Sequence, residues 1–79
     1  MANTGTVVTA DEKAVVREEV RILLKYMFEV GDPAVIREQL ADVRHYLRAV
    51  RAGKRVSPPG DWSDNQCMLW SALRAYHGI

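Results

Sequence analysis

The apolar residues of this chain fall into runs with helical spacing. The first centres on Ile22 to Phe28 (Ile-Leu-Leu-Lys-Tyr-Met-Phe). Wound at roughly 100° per residue, that stretch is apolar over about two thirds of its circumference, with Arg21, Lys25 and Glu29 marking the wet side. A helix docked on one neighbour needs a stripe only ~100° wide, so this helix meets neighbours on at least two sides. Val16, Val20, Leu23, Met27 and Val30 recur at steps of four and three, and Ile36, Leu40, Val43, Leu47 and Val50 repeat the rhythm. The two sets form the halves of an antiparallel seam.

Punctuation residues bound the elements. Residues 1–8 read as a loose N-terminal tail, followed by a single helical domain over 9–79. Thr9-Ala-Asp-Glu12 fits a capping box, and the first helix should run over about 10–30, with Gly31 ending it in a left-handed conformation. Asp32-Pro33 restarts the chain as N-cap and N1 proline. The second helix should cover about 33–52 and stop at Gly53. A two-residue link between two nearly equal helices predicts an antiparallel αα-hairpin. The linker, 53–63, contains Ser57-Pro-Pro-Gly60, which is not helical and gives the chain length to cross the hairpin's end. Ser63 with Gln66 forms a second capping box, with Asp61 as a competing cap and Trp62 and Cys67 spaced for a hydrophobic staple. A third helix is expected over about 64–77, closed by Gly78.

The predicted fold is all-α: a three-helix bundle built on a long antiparallel αα-hairpin with a shorter C-terminal helix. Labelling Val20 and Leu40 as heptad position a sorts the flanks. One flank carries Val15, Ile22 and Tyr26 with Val35, Tyr46 and Ala49. As the greasier side, it is the expected dock for Trp62, Leu69, Trp70, Leu73 and Tyr76 of the third helix. The alternative is that two hairpins pair and the third helix closes a homodimer.

The other flank is cationic. It carries Arg17, Arg21, Leu24 and Phe28 from the first helix, and Arg37, Arg44, Arg48 and Arg51 from the second; Arg55 continues the row if that helix extends. No carboxylate shares these heptad positions, and Leu24 with Phe28 forms an expected exposed apolar patch. Arginines at i+4 and i+3 repel by roughly 0.2–0.5 kcal/mol per pair, so helix stability alone does not favour the row. Guanidinium forks suit carboxylates and phosphates. The bland reading is a solvated flank whose arginine stems lie over the seam.

Size and charge narrow the function. Seventy-nine residues make one domain with a modest core, and chains this small more often bind, or oligomerise, than catalyse. The net charge of +1 and pI near 7.9 lie below the pI above ~9 typical of a dedicated nucleic-acid domain. The cationic residues lie in the middle and end of the second helix, which suits backbone contact more than base readout at a helix N-terminus. His45 and His77 stand without a ligand cluster, and Cys67 is too far along its helix from His77 for a Cys–His pair. No Gly-rich phosphate loop is present. No catalytic residue, metal site or cofactor is therefore expected.

The lone cysteine, the absence of a signal-like start and the absence of a long apolar run predict a cytoplasmic chain that does not span a membrane. Eight arginines to three lysines, with abundant alanine and valine, suggest a small bacterial or phage protein. The expected function is a non-enzymatic protein-binding module, of adaptor or inhibitor type, docking an acidic protein surface through the arginine face. The alternative is a regulatory protein binding a nucleic-acid backbone with the same face.

Overall fold

The computed structural model describes residues 8–79. Three helices, α1 (Ala10–Val30), α2 (Pro33–Arg51) and α3 (Asp64–His77), form a three-helix bundle, and no strand occurs among the described residues. The expected tail lies outside the described residues except for Val8, which is half-buried beside Val16 and Ile79.

The helix starts are chemically specified. Thr9 N–H donates to Glu12 Oε1 at 3.0 Å and Glu12 N–H donates back to Thr9 Oγ1 at 3.1 Å. Asp32 Oδ1 accepts from Ala34 N–H at 2.9 Å, with Pro33 at N1. Ser63 and Gln66 exchange the same reciprocal pair of bonds at 3.0 and 3.2 Å. The ends hold two corrections. Gly31 is extended, at φ −114° and ψ 170°, and not left-handed. A glycine is needed there for space: a Cβ would sit 2.9 Å from Ile36 Cδ1 and 3.0 Å from the Met27 carbonyl oxygen. The second helix ends at Arg51 with Ala52 as cap, and Gly53 takes the positive φ of 87°. Arg55 therefore lies in the linker and does not extend the row.

The hairpin is antiparallel: Met27 packs by Ile36 at the turn, Val20 and Leu24 line one cavity with Val43, and Lys13 and Arg51 meet near His77 at the open end. The third helix settles differently from expectation. It runs antiparallel to α1 and parallel to α2. Gln66, at its start, donates from Nε2 to the Gln39 carbonyl at 3.2 Å, while His77, at its end, lies near Arg51. The linker consequently returns along α2 instead of crossing the hairpin's end. It spans the rise from Arg51 to Gln39, roughly 18 Å at 1.5 Å per residue. On the way Val56 packs against the core, and Trp62 meets Tyr46 and Trp70 edge-on at centroid distances of 5.3 and 5.9 Å. Cys67 is exposed, so Trp62 is held by this aromatic ladder and not by the expected staple.

Because α3 lies along the mouth of the hairpin, it takes the seam face of α1 for itself. Leu69 and Trp70 join Val43 and Leu47 in the buried cluster, with Val20, Leu23 and Leu24 packed around them. The flank of α1 expected to receive α3 is left open: Val15, Ile22 and Tyr26 are 60%, 55% and 53% exposed. The reason is steric economy. One short helix cannot fill the gap between α1 and α2 and also cover the outer side of α1. Packing Leu69 and Trp70 into the gap buries more apolar surface. The bundle is correspondingly flat, 47 × 28 × 16 Å along its principal axes.

Candidate functional site

The cationic flank survives folding as a surface. Arg17, Arg21, Arg37, Arg44, Arg48, Arg51 and Arg55 are all exposed. Spacing on α2 keeps Arg37, Arg44, Arg48 and Arg51 on one side, and Arg44, Arg48 and Arg51 line a single depression floored by Leu47 and Ala52. Among the described residues none of these four pairs with a carboxylate; the ion pairs found are Arg21–Glu18 and Lys25–Glu29.

The structure divides the remaining predicted residues. Arg21 is turned onto Glu18, with Nε donating to Oε1 at 3.0 Å and a second contact from Nη2 to Oε2. That pair raises the Arg21 proton affinity and lowers that of Glu18, so Arg21 is partly neutralised from a heptad position outside the flank. Arg17 reaches across to α3, where Nη2 donates to the Tyr76 hydroxyl at 3.2 Å. Leu24 is half-buried against the core and does not form an exposed patch with Phe28, which is 38% exposed. Instead Leu24 helps line a cavity of about 140 Å³ with Val20, Val43, Leu69, Leu73 and Arg44. An apolar dimple thus opens beside the first guanidinium of the row.

Three residues of this region were not assigned to the cationic face from sequence. Lys13 lies over the Tyr76 ring at 5.4 Å from its centroid, beside the Arg17 guanidinium at 5.8 Å. The Arg17 hydrogen bond and charge, aided by Lys13, hold the Tyr76 phenol below its ordinary range. His77 is also shifted down, first by burial and then by the charges of Arg51 and Lys13. The helix dipole alone would favour a cation at this C-terminus, but burial and two neighbouring cations outweigh it. Lys13 stands four residues before Arg17, so its nearness to Arg17 was readable. The involvement of Tyr76 and His77 was not, because it depends on where α3 ends.

The open end therefore gathers Lys13 and Arg17 from α1 and Arg51 from α2 around the last turn of α3. On α2 the face offers guanidinium donors without a carboxylate partner among the described residues, next to a small apolar recess. Among the described residues there is no group of three or more His, Cys, Asp and Glu able to hold a metal, and no helix long and apolar enough to cross a membrane. Comparison with protein-family models, curated proteins and solved structures yields no match for this chain.

Proposed function

We propose that this chain is a non-enzymatic binding module that docks an acidic protein segment on the face formed by Arg44, Arg48, Arg51, Arg37 and Arg17. The observation that carries the reading is the unpaired state of Arg44, Arg48 and Arg51 around one depression, with the Leu24–Leu69–Leu73 recess adjoining Arg44. A row of like charges is unfavourable on its own helix. A carboxylate-bearing partner relieves the repulsion and gains charge-assisted bonds. The recess supplies what charge alone does not, a place for one aliphatic anchor. Charge steers the encounter and the anchor slows its reversal.

A fluorescent amphipathic helical peptide rich in glutamate and leucine is the first probe, alongside duplex and single-stranded oligonucleotides. The protein should bind the peptide, and Arg44→Gln/Arg48→Gln/Arg51→Gln should weaken that binding by about 3- to 150-fold, taking ~0.2–1 kcal/mol per exposed pair. Circular dichroism should be unchanged in the variant. Binding to oligonucleotides that collapses steeply with salt, without peptide binding, moves the face to nucleic-acid backbone. Loss of folding in the triple variant makes the row structural and ends the proposal.

A further inference from the structure

Tyr76 sits among cations that no carboxylate balances. Arg17 Nη2 donates to its hydroxyl at 3.2 Å, and Lys13 Nζ stands 5.4 Å from the centroid of its ring. His77 meets the same ring edge-on at 5.1 Å, and Arg51 of α2 is near enough to act on His77 through its charge. Every charge acting on the Tyr76 phenol or the His77 imidazole is positive. The ion pairs among the described residues lie elsewhere, at Arg21–Glu18 and Lys25–Glu29.

Helix chemistry does not account for this cluster. Lys13 is the fourth residue of α1 and is half-buried, close to a helix start whose dipole favours an anion. The carbonyls that end α3 are already engaged: Ala75 accepts from Gly78 N–H at 3.2 Å and Arg74 from Ile79 N–H at 3.0 Å. The bond from Arg17 uses a lone pair of the Tyr76 oxygen, which leaves the phenolic proton free to donate. Among the described residues no acceptor takes that proton or those of Lys13.

We propose that Lys13, Arg17 and Tyr76 form a binding site for a phosphate monoester, with Arg51 and His77 at its rim. The donors are an ammonium, a guanidinium and a phenolic O–H, held together by the packing of α3 on α1. A monoester dianion presents three terminal oxygens and close to two charges, so it matches all three donors at once. A carboxylate has two oxygens and one charge, and leaves one donor unmet. Arg17 is shared with the peptide face, but Lys13 and Tyr76 are no part of that face, so this site stands without it.

Calorimetric titration of the full chain with inorganic phosphate at about pH 7.5 should give a Kd on the order of 1 mM, with acetate at least about 10-fold weaker. Lys13→Gln and Tyr76→Phe should each weaken phosphate binding at least about 3-fold, as expected for a contact open to solvent. Arg44→Gln/Arg48→Gln, which impairs the peptide face, should leave it unchanged. Adenosine monophosphate and a phosphoserine peptide should each bind at least as tightly as inorganic phosphate, and the tighter of the two identifies the carrier of the group. His77 supplies a readout in the unaltered chain. A bound dianion offsets the charges of Lys13 and Arg51, so the NMR titration midpoint of His77 should be higher in sodium sulfate than in sodium chloride of equal ionic strength. His45, exposed on α2, should titrate alike in both salts. Acetate binding as well as phosphate, or either single variant binding like wild type, overturns the proposal. So does a His77 midpoint that is the same in both salts, or one that moves only as far as that of His45.

Discussion

Among the described residues Gln66 is the single buried polar side chain, 4% exposed, and it performs two jobs that substitution can separate. Its Oε1 accepts from Ser63 N–H at 3.0 Å, which caps α3, and its Nε2 donates to the Gln39 carbonyl at 3.2 Å, which ties α3 to α2. Gln66→Met keeps the unbranched shape and removes both bonds. At about 1 kcal/mol for each bond, less a fraction for the more apolar side chain, the loss should be about 1–2 kcal/mol. For a domain of this size that lowers Tm by about 5–12 °C.

Gln66→Glu retains the cap acceptor, and a carboxylate at N3 suits the helix dipole, but it aims an oxygen at the Gln39 carbonyl. At pH 7 the cost should be larger, about 3 kcal/mol, because a buried acceptor faces an acceptor. Burial and repulsion raise the folded-state pKa of this new acid above its unfolded value. The folded state then binds more protons, so the variant gains stability as pH falls from 7 toward 5. Urea titrations followed by circular dichroism at pH 5 and 7 measure both quantities. Gln66→Glu and Gln66→Met equal to each other, and equally insensitive to pH, would refute the assignment of a donor role to Nε2.

Gly31→Ala should destabilise by about 1 kcal/mol despite a backbone conformation that alanine tolerates, because the crowding of Ile36 outweighs the usual entropic gain. Ile36→Val removes the crowding methyl, and a double-mutant cycle on thermal melts should show the two changes partly compensating; strict additivity contradicts the close-packing reason for the glycine. His77 is held low by burial and by Arg51 and Lys13, so the unfolded chain binds its proton more readily. The stability it contributes is complete above pH ~6.5 and is lost as pH falls through the lower folded-state value. His77→Gln should flatten the pH dependence of stability between pH 7 and 5, and an unchanged slope places the proton uptake elsewhere.

What the sequence determined is local. Capping boxes at Thr9–Glu12 and Ser63–Gln66, the Asp32–Pro33 restart and the four-three spacing of Val16 to Val30 specify helices and one apolar side for each, since those signals act within a turn or two of chain. The arginine row on α2 was readable for the same reason, as helical spacing alone puts Arg37, Arg44, Arg48 and Arg51 together. Which apolar side meets which was not local. Tertiary structure sent the linker back along α2, set Leu69 and Trp70 into the mouth of the hairpin and left Val15, Ile22 and Tyr26 bare. It also brought Tyr76 and His77 among Lys13, Arg17 and Arg51. The seam face of α1 and its Val15–Ile22–Tyr26 flank are both apolar, so the choice between them fell to shape: the gap between two helices buries more of a short third helix than the outer side of either one can.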